Sequence, residues 1–164
     1  GYTLHYIKEH LQRSGVTSGY INMGGNLYMI GRKPDGTSWR TSIINHLDDG
    51  KPIGIIELEN KAIASATVDE RGYVKGTRLY RHLINPYTGK KRESGLFSVT
   101  CVSDSPWVAD ILTTVLFLIG LERGEKFMKE LSKEMGVYIA YSAVNNDGEV
   151  FLSPSLEFVP VEDL

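Results

Sequence analysis

The feature that most constrains this chain is the apolar stretch VADILTTVLFLIG at residues 108–120, which is typical of a buried helix. Pro106 suits the first turn of a helix, Ser105 or Asp104 can cap its beginning, and Gly120 can end it. Because nearly the whole surface of such a helix is apolar, other elements must cover it. We therefore expect this helix to pack into the core.

The rest of the chain alternates β-rich runs with turn signals, and it contains two more helical patterns. Apolar residues at helical spacing predict helices near residues 3–14 and 122–135. A Pro-Asp-Gly turn at residues 34–36 predicts a hairpin between the runs on either side of it. We expect strands in the runs GYINMGGNLYMIG (broken in two at Gly-Gly-Asn), WRTSIIN, IGIIELEN, KAIASATV, FSVTCVSDS and VYIAYSAV.

The order of these elements predicts the fold class α+β, with a mainly antiparallel sheet and about three helices. The formal net charge of −2 provides no basic surface, so we expect no nucleic acid partner. No run approaches the roughly 18–20 apolar residues of a membrane-spanning helix. The single cysteine, Cys101, excludes an internal disulfide and a cysteine metal cluster, and we expect it in a buried strand.

Two hard oxygen ligands share one face of the predicted apolar helix. Asp110 and Thr114 are four residues apart and lie on that face, whereas Thr113 is rotated about 100° around the helix from Thr114. A carboxylate and a hydroxyl suit Mg²⁺, which typically takes one or two protein oxygens and completes its shell with water and phosphate. In the structural alternative, Asp110 complements the helix dipole and a threonine hydrogen-bonds to the preceding turn.

A glycine-rich run and a histidine are two further candidates, and each has a structural alternative. The run GGNLYMIG at residues 24–31 would let the backbone approach a ligand closely, although its spacing fits neither G-x-x-x-x-G-K-[ST] nor G-x-G-x-x-G. The alternative for this run is a β-bulge. His82 precedes a Pro-Tyr-Thr-Gly turn and can act as a general base. The alternative for His82 is a half-buried side chain with a structural hydrogen bond.

Together these stretches form an ordered set of motifs that resembles the ApbE family of FAD:protein FMN transferases. The matching segments are Gly1-Tyr2-Thr3 (the family's K-G-[YF]-A), Gly24-Gly25-Asn26 (its GG-N), HLINPYTG at 82–89 (its H-I-I-D-P-x-T-G) and ADILTT at 109–114 (its A-D-x-L-x-T). Their order and approximate spacing follow the family pattern over nearly the whole chain.

The resemblance implies an ApbE-like, T-fold-like architecture and Mg²⁺-dependent transfer of FMN from FAD to a Thr or Ser hydroxyl of a target flavoprotein. Asp110 and Thr114 match the family's metal-binding Asp and Thr, and the main-chain carbonyl of Thr3 matches its third ligand. His82 matches the proposed catalytic base, and Gly24-Gly25-Asn26 matches the element lining the FAD site. The implied cofactors are Mg²⁺ and FAD, and the implied partner is an acceptor flavoprotein.

Two departures from the family pattern keep a second function open. His5 and Asn85 occupy positions where the pattern has Asp. They favour a catalytically weak or inactive relative that binds flavin or metal, or a fragment of a larger enzyme. Because family members are longer, we expect residues 1–164 to form one domain from the C-terminal part of a longer chain. The family is often exported and lipid-anchored, so the resemblance implies an extracytoplasmic, membrane-anchored location.

Overall fold

The structure is a computed structural model that describes residues 1–68, 73–75, 78–80, 83–90 and 94–161. Within these ranges the helices are α1 (Tyr2–Arg13), α2 (Pro106–Ile119) and α3 (Leu121–Met135), each within one residue of its predicted bounds. The strands are β1 (Gly19–Met23), β2 (Asn26–Ile30), β3 (Trp39–Asn45), β4 (Lys51–Leu58), β5 (Lys61–Thr67), β6 (Tyr73–Lys75), β7 (Arg78–Tyr80), β8 (Leu96–Ser103), β9 (Ile139–Asn145), β10 (Val150–Leu152) and β11 (Phe158–Pro160).

The strands of the described residues form three sheets, and every pairing between them is antiparallel. The largest is six-stranded, with the order β1-β2-β5-β8-β9-β10. A three-stranded sheet has the order β11-β4-β3, and β6 pairs with β7 alone. The predicted α+β class with a mainly antiparallel sheet is therefore confirmed.

The six-stranded sheet is covered on both faces. On one face, α2 packs its buried side chains against β5 and β8, and Leu112 and Leu116 share one apolar cluster with Val99 and Ala143. On the other face, a second cluster joins the large sheet to the three-stranded sheet. Since both faces are buried, the inner strand β9 is a nearly continuous apolar run instead of an alternating one.

A third apolar cluster fixes the positions of α1, β2 and α2 relative to one another. Its buried members are Leu4 of α1, Tyr28 and Ile30 of β2, Ala62 and Ala64 of β5, and Ala109 of α2. Because side chains alternate along a strand, Asn26 lies on the same face of β2 as Tyr28 and Ile30. This cluster therefore directs one face of β2 toward the beginning of α2.

Cys101 lies in β8 and is fully buried, as predicted. Burial raises the pKa of its thiol far above the ordinary value, so the side chain stays protonated at neutral pH. A protonated, inaccessible thiol is not a nucleophile. Among the described helices, none is both long enough and apolar enough to cross a membrane.

The predicted hairpin around Pro-Asp-Gly is wrong, although the turn itself is present. Gly36 N–H donates to the Lys33 carbonyl at 2.9 Å, which closes the turn. However, β2 pairs with β1 and β5, and β3 pairs with β4 in the other sheet. Both edges of β2 are already occupied, so the chain must change sheet after the turn. Turn chemistry specifies a reversal of the chain but not the strand that pairs with it.

The sequence pattern predicts no strand at β11, whose pairing depends on a distant glycine. Phe158, Val159 and Pro160 lie opposite Ile56, Ile55 and Gly54 of β4. A Cβ at Gly54 would overlap the Phe158 ring and the Val159 carbonyl, so only glycine admits this close approach. A short run with one proline carries little strand signal by itself.

Candidate functional site

Asp110 lies in the second turn of α2. Ser105 is the N-cap residue, with extended backbone angles of φ −110° and ψ 119°, and Pro106 occupies the first helical position. The first turn contains no acidic residue. The helix dipole acts mainly within the first turn, so it gives Asp110 little stabilisation. The Asp110 carboxylate is therefore not a helix cap, and stabilisation of the helix dipole does not explain its presence.

Three distant segments meet at the Asp110 carboxylate. The Asn26 side-chain amide donates from Nδ2 to Asp110 Oδ1 at 2.9 Å. The main-chain nitrogen of Gly1 donates to Asp110 Oδ2 at 2.7 Å. The Asp110 side chain remains 43% exposed, so solvent and ligands can reach the carboxylate. The group is thus oriented by the protein and open on one side.

The glycine-rich run begins with a tight hairpin turn, Gly24-Gly25, which joins β1 to β2. Gly24 and Gly25 have φ values of 61° and 93°, as expected for a two-residue turn that needs positive φ at both positions. The register continues unbroken through Met23 opposite Asn26, so the β-bulge interpretation is wrong. Both glycines are exposed, and the turn places Asn26 at the first position of β2.

Neighbouring threonines of α2 have different environments. Thr113 is 3% exposed, and its hydroxyl donates to the Asp110 carbonyl at 2.7 Å. This is the hydrogen bond to the preceding turn that a helical threonine commonly makes. Thr114 is exposed and lies one turn after Asp110. The hydroxyl that can reach a ligand beside the carboxylate therefore belongs to Thr114, as the spacing predicts.

Thr3 lies in the first turn of α1, and its side chain is exposed. The beginning of α1 contacts α2 closely, because a Cβ at Gly1 would lie 2.7 Å from Asp110 Cβ and 2.8 Å from Trp107 Cα. Two residues later, the Thr3 carbonyl points along α1 and is placed for the helical bond from Ile7 N–H. Metal binding by this carbonyl stays a prediction.

The donor set fits a hard divalent cation. Among the described residues, no group of three or more His, Cys, Asp or Glu side chains converges as a metal site. The exposed Thr114 hydroxyl, one turn after Asp110, could supply a second oxygen ligand beside the carboxylate. An incomplete set of oxygen ligands that leaves room for water and phosphate is the environment that Mg²⁺ prefers.

His82, the predicted catalytic base, lies outside the described residues, but the turn that follows it is described. Asn85 Oδ1 accepts hydrogen bonds from Tyr87 N–H at 2.9 Å and from Thr88 N–H at 3.3 Å. Main-chain bonds from Gly89 to Asn85 and from Asn85 to Lys90 close the turn. An aspartate at position 85 would accept the same bonds, so the amide preserves the turn and removes only a charge.

His5, the second departure from the family pattern, is part-buried on α1. Its ring meets Tyr6 edge to face, with centroids 5.9 Å apart. The Nδ1 atom of His5 is buried without a hydrogen-bond partner. No hydrogen bond described for this ring joins it to Asp110.

Sequence reasoning missed the contact between Asn26 and Asp110. The two residues are 84 positions apart, so no local pattern links them. A partial signal exists in the alternation of Asn26, Tyr28 and Ile30, which places the amide on the helix-facing side of β2. The identity of the opposing helix residue depends on tertiary packing.

Comparisons with known proteins agree with this architecture. The ApbE family profile matches residues 1–139. An FAD:protein FMN transferase from Vibrio cholerae is 34% identical over 127 residues, which are 76% of this chain and 37% of the relative. One from Klebsiella pneumoniae is 24% identical over 99% of this chain and 49% of its own length.

Two solved structures are similar along most of the chain. The flavin transferase ApbE from Vibrio cholerae superposes with a TM-score of 0.71 at 27% identity, over 94% of this chain and 48% of its own. The ApbE protein from Thermotoga maritima gives a TM-score of 0.75 at 26% identity, over 94% and 49%. The chain thus spans about half the length, or less, of the relatives that it matches.

Proposed function

Since the chain belongs to the ApbE family, we propose that it is an FAD:protein FMN transferase whose reaction depends on Mg²⁺ and ends on a Thr or Ser hydroxyl. The observation that carries this proposal is the orientation of Asp110. Its carboxylate receives donors from two other segments, remains open to solvent, and has the exposed Thr114 one turn away. A charged side chain held this way on an otherwise apolar helix suits a ligand better than a purely structural role.

In this proposal, Asp110, Thr114 and the Thr3 carbonyl hold the metal. Bound there, Mg²⁺ supplies charge neutralisation for the pyrophosphate of FAD. Asp110 contributes the only formal negative charge among these ligands. The hairpin turn at Gly24 and Gly25 carries no side chains, so its main chain can approach the flavin nucleotide closely.

The transfer step breaks the phosphoanhydride bond of FAD and forms a phosphate ester with the acceptor. The acceptor hydroxyl oxygen attacks the phosphorus on the FMN side of the pyrophosphate. The bond from that phosphorus to the bridging oxygen breaks, and AMP leaves with the oxygen. We propose that His82 accepts the hydroxyl proton as a general base. This assignment depends on the HLINPYTG motif, because His82 lies outside the described residues.

Intact-mass measurement of an acceptor tests this function. The full chain is incubated with FAD, Mg²⁺ and a flavoprotein domain that offers the target hydroxyl. We expect an FMN-sized mass increase on the acceptor and release of AMP. The matched controls are excess EDTA and an acceptor whose target threonine is replaced by valine, and both should show no increase.

A flavin- or metal-binding relative with weak or no catalysis is the second candidate. The observations that favour it are Asn85 and His5, which remove two carboxylates that the family pattern contains. Because the acceptor assay reports transfer and a flavin fluorescence titration reports binding, the two candidates separate. FAD binding without any mass increase on the acceptor would exclude the transferase and support the second candidate.

A further inference from the structure

Asn26 and Asp110 form a directional contact whose sense is fixed by chemistry. An ionised carboxylate only accepts hydrogen bonds, so the atom of Asn26 that faces it must be the Nδ2 amide nitrogen. The distance of 2.9 Å from Nδ2 to Oδ1 is that of a good hydrogen bond. The contact ties the first residue of β2 to the second turn of α2.

This contact restricts the rotation of the Asp110 side chain. Asp110 lies on a partly exposed helix face, where a carboxylate side chain has several staggered rotamers available to it. Asn26 fixes Oδ1, and the Gly1 main-chain nitrogen fixes Oδ2. A carboxylate has about four lone-pair directions, so accepting these two bonds does not by itself prevent it from binding a cation.

The neutral amide suits this role better than other donors would. A lysine or arginine at position 26 would neutralise Asp110 and compete with a metal ion for it. An aspartate at position 26 would repel the carboxylate and could not donate to it. Asparagine orients the carboxylate without adding a charge of its own.

We propose that Asn26 is a positioning residue, which holds the Asp110 carboxylate in the orientation that binds the divalent cation. This inference rests on the proposed function, because it requires a metal at Asp110. It differs from the role that the family resemblance implies, in which the Gly24-Gly25-Asn26 element lines the flavin site. Its two consequences are a weaker metal affinity without Asn26 and an unchanged affinity for FAD.

Metal affinity measured with Mn²⁺ alone is the first test. Electron paramagnetic resonance measures the concentration of free Mn²⁺ as the full chain is titrated, with no flavin or acceptor present. We expect Asn26→Ala to raise the dissociation constant about ten-fold, the usual loss when a supporting contact to a metal ligand is removed. Asp110→Asn should abolish binding at this site.

Asn22→Ala is the matched control. Asn22 lies in the same hairpin, is exposed, and accepts a hydrogen bond from Gly25 N–H at 3.2 Å. The alanine substitution therefore perturbs the turn but keeps the hydrogen bond from Asn26 to Asp110. Its Mn²⁺ dissociation constant should stay within about two-fold of the wild-type value.

Kinetics separate positioning from direct flavin binding. We expect Asn26→Ala to raise the Mg²⁺ concentration that gives half-maximal activity about ten-fold, with KM for FAD unchanged at saturating Mg²⁺. A raised KM for FAD with an unchanged Mg²⁺ requirement would overturn the inference and support direct flavin contact.

The outcomes distinguish this inference from the proposed function. If Asp110→Asn abolishes Mn²⁺ binding and Asn26→Ala does not weaken it, the inference is wrong and the metal site stands. If wild-type protein and Asp110→Asn bind Mn²⁺ equally, the metal site of the proposed function is wrong, and the inference fails with it. A loss in Asn22→Ala equal to that in Asn26→Ala would assign the effect to the turn and also overturn the inference.

Discussion

The Asp110 site and the turn at residues 85–90 each depend on an asparagine, but the two are assembled differently. Asn26 uses its amide N–H to reach a carboxylate 84 residues away. Asn85 uses its amide oxygen to hold main-chain N–H groups two and three residues further along. One asparagine joins separate elements, and the other organises its own turn. The distance between Asn26 and Asp110 depends on how α1, β2 and α2 pack together. The turn at residues 85–90 depends only on its own residues.

The comparison predicts that losing Asp110 has the largest functional effect and little effect on the fold. We expect Asp110→Ala to reduce Mg²⁺-dependent turnover of FAD by at least about 100-fold, because a metal ligand is lost. The side chain is 43% exposed, so far-ultraviolet circular dichroism and the cooperativity of unfolding should be retained. An Asp110→Ala variant with normal turnover would show that this carboxylate does not hold the metal.

The next largest effect is expected at Thr114, and the adjacent Thr113 provides the control. We expect Thr114→Val to weaken Mg²⁺ activation about ten-fold, because an exposed hydroxyl beside Asp110 is removed. Thr113→Val is the matched control, since it deletes a buried hydroxyl that already donates to a main-chain carbonyl. Its Mg²⁺ requirement should stay within about two-fold of the wild-type value. The assignment fails if the buried threonine proves to be the sensitive one.

Substitutions in the turn at residues 85–90 should have the smallest effect, which is on the free energy of unfolding. We expect Asn85→Ala to lower the free energy of unfolding by about 1 kcal/mol, because the acceptor for two main-chain N–H groups is lost. Asn85→Asp keeps that acceptor and should stay within about 0.5 kcal/mol of the wild-type protein in urea unfolding. If both substitutions destabilise equally, the amide oxygen does not organise this turn.

The same contrast explains what the sequence could predict. Helix bounds, turns and the fold class follow from local patterns, such as Pro106 before an apolar run and Gly24-Gly25 between β-rich halves. The choice of Thr114 over Thr113 follows from helical spacing alone. These features need only residues that are close in the chain.

The remaining features depend on residues far apart in the chain. The pairing of β3 with β4 instead of β2 depends on which sheet edges are already occupied. The pairing of β11 depends on the missing side chain of Gly54. The hydrogen bond from Asn26 to Asp110 requires α1, β2 and α2 to share one apolar cluster.

The most direct test of the metal site is the position of a bound ion. A crystal of the full chain grown with Mn²⁺ and FAD would be measured at the manganese absorption edge, where Mn²⁺ has a strong anomalous signal. We predict an anomalous peak about 2.1 Å from an Asp110 carboxylate oxygen, a typical distance for a small divalent cation. The Thr114 hydroxyl should lie in the same coordination shell, with Asn26 bonded to the other side of the carboxylate. An anomalous peak on other residues, with FAD bound and no metal at Asp110, would contradict the account.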